Sequence, residues 1–168
     1  TLDEGDVLYY TLNGDDEIDC LILRDATGDL VTYVYLTQIS AQSGSMSSSG
    51  SYTYLLDGES RTLNSSTVYS VETGGAALLY EDGEVSRIRQ LSSVRLTGLS
   101  TLTAETASGT RDLDENVQVL LKTGTLSSSY YLTTLSEINA EDYVLTGWYD
   151  DLGYSAGGRI RIIVAESR

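Results

Sequence analysis

Residues 51–64 read SYTYLLDGESRTLN, and this stretch decides the fold class. Tyr52 and Tyr54 are spaced by two residues, which places both side chains on one face of a β-strand. Asp57-Gly58 follows, and this dipeptide tolerates the positive φ angles that a two-residue hairpin turn requires. The stretch therefore predicts a strand, a tight turn and a returning strand.

The same signals recur along the chain. Val, Ile, Thr and 13 tyrosines are common, proline is absent, and Asn13-Gly14 and Asp82-Gly83 are further hairpin dipeptides. Only the segment 132–142 favours a short helical turn. We predict an all-β protein of antiparallel hairpins, arranged as closely packed tandem units that each resemble a small barrel or sandwich.

One pattern occurs three times: an apolar strand, an acidic or glycine-containing turn, then a charged residue followed by Ile or Val. The three strands begin at Val7, Ala77 and Tyr143. Upstream of the second and third copies, residues 60–63 (SRTL) and 110–113 (TRDL) are also similar. An internal repeat of this kind indicates units that pack against one another.

A division of the chain follows from this repeat. We expect a first β unit at residues 1–99, with a Ser/Gly-rich loop at 43–51, and a second at 100–168. Each would be close to the size at which a single core becomes marginal.

The charge of the chain excludes several partners. Its formal net charge is −15, from 10 Lys and Arg residues against 25 Asp and Glu residues. Nucleic acids and anionic membrane surfaces are bound through clustered positive charge, so we expect neither as a partner. No run approaches the roughly 18 apolar residues of a membrane span, so we expect no insertion. Because the sequence begins at Thr1 rather than Met, we expect a longer precursor.

Four stretches carry a resemblance to a known family: 21–29 (LILRDATGD), 91–97 (LSSVRLT), 147–150 (GWYD) and 157–165 (GGRIRIIVA). They resemble the β-rich accessory regions of S-layer-homology-domain proteins from gut Clostridia and related Firmicutes. The resemblance implies an extracellular, cell-wall-associated protein in which this module is a spacer or presentation unit. It implies cell-wall or surface-layer components as partners, and it supplies no catalytic positions.

The residue types that catalysis usually needs are missing. There is no histidine, which excludes Ser-His-Asp and Cys-His mechanisms, and the single Cys20 excludes an intramolecular disulfide. No phosphate-binding loop or nucleophile elbow occurs. A glycosidase needs only two carboxylates, but such pairs usually lie in aromatic-lined clefts of larger scaffolds. We therefore predict no catalytic residues and no enzymatic activity.

Calcium is the one metal that the sequence raises. Asp112, Asp114 and Asn116 have the spacing of the first ligands of a calcium loop. However, Val117 stands where that loop needs glycine, and Thr123 where it needs a bidentate glutamate. We predict no cofactor, with calcium at these three residues as the alternative to ordinary turn chemistry.

Two pairs of adjacent aromatic residues form the second candidate site. Trp148 with Tyr149, and Tyr130 with Tyr131, could stack on sugar rings if they were exposed on a flat sheet face. In adjacent strand positions one side chain points inward and the other outward. Because the chain has no phenylalanine, inward tyrosines are expected to build the core.

Taken together, these features predict a non-catalytic structural, spacer or display module of a secreted bacterial surface protein. Two alternatives are open. The aromatic content favours a carbohydrate-binding module that recognises cell-wall, host or dietary glycans. Exposed strand edges favour an adhesin-like domain that binds other proteins.

Overall fold

A computed structural model describes residues 7–12, 14, 18–23, 31–150 and 158–168. Almost all of this part of the chain is β-strand or turn, which confirms the all-β prediction. The strands are β1 (Val7–Leu12), β2 (Ile18–Leu23), β3 (Val31–Ser43), β4 (Ser48–Leu56), β5 (Glu59–Ser65), β6 (Gly74–Glu81), β7 (Glu84–Gln90), β8 (Ser92–Leu99), β9 (Thr103–Thr106), β10 (Gly109–Lys122), β11 (Tyr130–Thr133), β12 (Tyr143–Tyr149) and β13 (Ile160–Ser167).

The described helical elements are two 3₁₀ turns, Ser127–Ser129 and Leu135–Glu137. The second confirms the helical turn predicted within 132–142. No helix in the described part of the chain has the length and hydropathy that a transmembrane span requires.

The hairpin dipeptides adopt the backbone that their sequence predicts. Asp57 and Gly58 have φ angles of 50° and 81°, and Asp82 and Gly83 have 52° and 80°. Positive φ at both central residues is the mark of a type I′ turn, whose twist matches that of the flanking strands. Asn13, like residues 24–30 and 151–157, lies outside the described residues.

The chain forms two compact units. The first contains Leu78–Arg87 and the antiparallel hairpin of β1 and β2. The second contains Tyr33–Ala77 and Ile88–Arg168.

Five strands of the second unit close into a barrel. β8, β9 and β10 form an antiparallel meander, β12 pairs with β8, and β13 lies between β12 and β10. Within the barrel, only the β10–β13 pair is parallel. The order β12-β8-β9-β10 is a Greek key, and β13 closes it. Ser100, near which the sequence predicts a unit boundary, lies between the paired strands β8 and β9 of this barrel.

The interior of the barrel is a single apolar cluster. Ile138, which follows the 3₁₀ turn Leu135–Glu137, is 6% exposed and adds to this cluster from outside the strands. The other buried members are Leu96, Ala104, Leu113, Val119, Leu145, Ile160, Ile163 and Ala165.

Strands β3 to β7 form a five-stranded sheet in the order β5-β4-β3-β6-β7. Strand β11 pairs antiparallel with β10. The barrel, read from its third strand, has the order β10-β9-β8-β12-β13. Numbered along the chain, the first series is β3, β4, β5, β6 and β7, and the second is β8, β9, β10, β12 and β13. Both series place their strands in the order third, second, first, fourth, fifth. They differ in that the barrel adds the pair between its third and fifth strands. The similar stretches 60–63 and 110–113 lie on the third strand of each series.

A second apolar cluster joins β4 to the outer face of the barrel. Its buried members are Leu55, Leu120, Ile162 and Val164, with Tyr35, Tyr130 and Trp148 packed against them. Since Ile163 and Ala165 face the barrel interior, β13 is buried on both faces. Strict alternation along residues 159–164 would place both arginines outward, but only Arg159 is exposed and Arg161 is half-buried.

Candidate functional site

A cluster of four polar side chains lies where β3 meets the barrel. Asp150 follows β12, Arg161 lies on β13, Asp114 on β10 and Tyr33 on β3. Arg161 Nε and Nη2 donate to Asp150 Oδ1 and Oδ2 at 3.3 and 3.2 Å, and Arg161 Nη1 donates to Asp114 Oδ2 at 2.5 Å. The Tyr33 hydroxyl donates to Asp150 Oδ2 at 2.8 Å. We call these four residues the Arg161 cluster.

Two irregularities in strand pairing bring Arg161 into this position. In the parallel pair, Leu113 aligns with Ile160 but Gln118 aligns with Ile162, so four residues of β10 stand opposite Arg161 alone. The β12–β13 pair also changes register at this point. Bulges re-aim side chains, and here they direct Arg161 toward the two carboxylates instead of toward solvent.

The cluster is almost closed to water. The Asp150 side chain is 0% exposed, and those of Arg161 and Asp114 are 12% and 17% exposed. The guanidinium of Arg161 also lies over the Tyr33 ring, 4.6 Å from its centroid. Charges at this depth are tolerated only when they are paired and hydrogen-bonded, a condition that each member meets through the others.

The surroundings of each group shift its proton affinity. Burial alone would raise the pKa of Asp114, but the Asn116 backbone N–H and the Arg161 guanidinium outweigh it and lower the pKa. Burial would lower the pKa of Arg161, and hydrogen bonds to Asp114 and Asp150 raise it instead. Burial and the hydrogen bond to Asp150 raise the pKa of Tyr33 to about 12. Tyr33 and Arg161 therefore stay protonated and Asp114 ionised at neutral pH.

Gln118 extends the junction beside this cluster. Its Nε2 donates to the Tyr33 carbonyl at 2.7 Å, and its Oε1 accepts the Asp57 N–H at 3.1 Å. Gln118 is 8% exposed, so it satisfies two backbone groups away from bulk water.

The geometry of the Arg161 cluster suits a structural role, in which it holds strands together, better than a catalytic one. Asp150 accepts from Tyr33 and Arg161, while Asp114 accepts from Arg161 and from the Asn116 N–H at 2.9 Å. Both carboxylates are thus fully engaged. Sequence reasoning missed the cluster because its members are far apart in the chain and Arg161 occupies an apparently outward strand position.

The three residues considered for calcium are not brought together as a loop. Asp112 and Asn116 are exposed, and Asp114 is paired with Arg161. The Asn116 N–H that Asp114 Oδ1 accepts forms an Asx turn, the local turn chemistry given as the alternative. Among the described residues no group of three Cys, Asp or Glu side chains is placed to hold a metal ion.

The four aromatic candidates do not share one surface. Trp148 and Tyr130 pack on the apolar cluster between β4 and the barrel, and Tyr35 contacts both, at ring-centroid distances of 6.1 and 5.2 Å. Tyr149 packs on the barrel core, with the Arg111 guanidinium 3.8 Å from its ring centroid. Tyr131 alone is largely exposed, at 56%.

Two open grooves lie away from the Arg161 cluster. One, of about 580 Å³, is lined by serine, glutamine, asparagine and glycine residues of β3, β4, β5 and the residue after β5. The other, of about 620 Å³, lies between β10 and the 133–136 segment, and Glu115 is its one charged lining residue. Neither groove presents the pair of facing carboxylates that glycoside hydrolysis needs.

Comparison with known proteins gives no assignment. No family model, no curated protein and no solved structure matches this chain.

Proposed function

We propose that the chain is a non-catalytic structural module, a spacer or display unit, of a secreted and cell-wall-associated bacterial surface protein. The observation that carries the proposal is the Arg161 cluster. Its buried charges pair with one another and, through the Tyr33 hydroxyl, join β3 to three strands of the barrel. This arrangement is expected of a rigid connection.

Two further contacts support a rigid connection at the same junction. Gly74 and Gly75 lie against Trp148, so close that a Cβ at either position would stand 2.4 or 2.6 Å from the indole side chain. A Cβ at Gly58 would stand 2.8 Å from Leu132 Cβ. Such close backbone approach leaves little freedom for β4 and β6 to move against the barrel.

The compartment and the partners belong to the same proposal. A net charge of −15 keeps a β-rich surface soluble and self-repelling outside the cell, and it disfavours nucleic acid. The resemblance to accessory regions of S-layer-homology proteins supports an extracellular location at the cell wall. Cell-wall or surface-layer components are then the partners.

Amide ¹⁵N relaxation tests the rigid connection. Amides of β3 and β4 and amides of the barrel should report one rotational correlation time. In Arg161→Met, which removes the charge that joins the strands, the two sets should diverge, whereas the exposed Arg159→Met should behave as the parent. Two different correlation times in the parent protein would contradict the rigid connection. Turnover of a peptidoglycan or other glycan by the purified chain would contradict the absence of catalysis.

Glycan binding is a second candidate, carried by one observation. Tyr131 and Leu132 are 56% and 54% exposed on β11, and Leu126 nearby in sequence is 68% exposed. An exposed tyrosine beside apolar side chains can stack on a sugar ring. Titration of the chain and of Tyr131→Ala with cell-wall polysaccharide tests it, and equal responses would exclude Tyr131 as the site.

A further inference from the structure

The two series of strands treat their third strand differently. In the barrel, β10 is paired on one side by β9 and on the other by β13, where Leu113 aligns with Ile160. β5 is the third strand of the other series and carries the similar stretch 60–63. In the described part of the chain β5 pairs with β4 alone. Among the residues that the structure describes, the edge that is covered on β10 has no strand beside it on β5.

The hairpin turn determines which backbone N–H and C=O groups of β5 point away from β4. In a two-residue turn the flanking residues, Leu56 and Glu59, form a hydrogen-bonded pair, and such pairs alternate along an antiparallel ladder. The β4–β5 register runs from this pair to the far end without a shift. Arg61 and Leu63 therefore bond to β4, whereas Ser60, Thr62 and Asn64 direct their N–H and C=O groups away from it.

Most of the devices that protect an open edge are missing from β5, and its two charged residues, Glu59 and Arg61, pair with each other. Natural edge strands carry proline, lysine or a bulge, or are very short. β5 is seven residues long, has neither proline nor lysine, and keeps a regular register with β4. Its first four residues are all exposed. A regular and exposed edge of this kind is a template for another strand.

We infer that this edge docks a second copy of the chain, by antiparallel pairing of β5 with β5 around a two-fold axis at Thr62. In that register Arg61 stands opposite Leu63, and Glu59 opposite Ser65, so no like charges face each other. Two copies of the whole chain repel, but residues 30–56 and 62–71 contain no charged residue. β5 thus adjoins the least charged part of the molecule, where repulsion between copies is weakest.

The pairing is expected to be weak. One strand pair covers less surface than the roughly 1,600 Å² of a standard stable interface, so self-association should need high protein concentration. The pairing is separate from the proposed role, since a rigid spacer can be monomeric.

Sedimentation velocity tests the inference, with protein from about 10 µM to about 1 mM, a range that detects weak association. The weight-average mass of the parent should rise with concentration toward that of a dimer. Thr62→Pro removes the outward N–H without removing a hydrogen bond to β4, and it should stay monomeric. Thr62→Val, which loses the same hydroxyl but keeps the N–H, should associate like the parent.

A second variant tests the same edge if the proline variant fails to fold. Thr62→Lys places two positive charges at the two-fold axis and should also stay monomeric, with the far-ultraviolet circular dichroism of the parent. A parent that is monomeric at the highest concentration overturns the inference. Association that survives Thr62→Lys, or that is lost only in Tyr131→Lys on β11, overturns it as well, because the contact would then lie on another edge.

Discussion

Arg161 and Asp150 form a two-point ion pair in which Nε meets Oδ1 at 3.3 Å and Nη2 meets Oδ2 at 3.2 Å. Asp150 follows β12, and Arg161 lies on the neighbouring strand at a break in register. The Asp150 side chain is completely buried. A buried pair of this kind contributes little net stability compared with apolar packing, but loss of one partner leaves an uncompensated charge.

Removal of Arg161 should therefore destabilise the protein strongly. We expect Arg161→Met to lower the free energy of unfolding by about 3–5 kcal/mol, because Asp150 and Asp114 lose their shared cation. Urea denaturation followed by circular dichroism measures the change. Arg159→Met, an equivalent change at an exposed position two residues away, should cost less than about 0.5 kcal/mol. Equal losses of unfolding free energy in the two variants would show that the buried Arg161 contributes no more to stability than an exposed arginine.

Acid should weaken the same cluster through Asp114. The pKa of Asp114 is lower in the folded protein than the ordinary aspartate value of 3.8, so the unfolded state binds more protons in acid. The stability that Asp114 contributes is complete above the unfolded pKa and is lost as the pH falls through the folded pKa. The difference in unfolding free energy between the parent and Asp114→Asn should shrink below about pH 4. Urea titrations at successive pH values measure it, and a constant difference would contradict the expectation.

High pH should reduce the stability of the protein through Tyr33, whereas low pH reduces it through Asp114. The pKa of Tyr33 is raised from 10.0 to about 12, so folding favours the protonated phenol. Its contribution is complete below pH 10 and is lost as the pH rises through 12. The stability of the parent relative to Tyr33→Phe should therefore fall across this interval. Tyr131→Phe, at an exposed position, is the matched control. If both variants differ from the parent by amounts independent of pH, the environment assigned to Tyr33 is incorrect.

The fold could be predicted from local signals because those signals act over few residues. The type I′ turn at Asp57-Gly58 follows from the low cost of positive φ at those residues. Alternation in β4 predicted that Tyr52 and Tyr54 lie on one face, and both are buried. Closure of the barrel could not be predicted in this way, because it depends on a parallel pair between β10 and β13, which are distant in sequence.

The Arg161 cluster escaped prediction for a related reason. Alternation from Ile160 to Val164 places Arg161 outward, but that rule assumes regular register on both sides of β13. The register changes at Arg161 in both pairs, so Ile160 lies in the barrel cluster and Ile162 in the outer cluster. Arg161, between them, faces Asp114 and Asp150. The orientation of adjacent aromatic residues could be predicted from alternation, since one side chain points inward and one outward at Tyr130 and Tyr131.

Gly75 packs so closely against Trp148 that position 75 has no room for a larger side chain. A Cβ at Gly75 would lie 2.6 Å from Trp148 Cβ and 2.7 Å from its Cγ, so either the indole or β6 must move. Gly75→Ala should therefore destabilise the protein by about 1–3 kcal/mol, the usual cost of overpacking. Trp148 is the only tryptophan, so its fluorescence should shift to longer wavelength as water reaches the displaced ring. Gly14→Ala, where a Cβ meets nothing within 4 Å, should leave the fluorescence unchanged. An unshifted spectrum in Gly75→Ala would mean that the close contact does not position Trp148, because the added methyl group would then be accommodated without moving the ring.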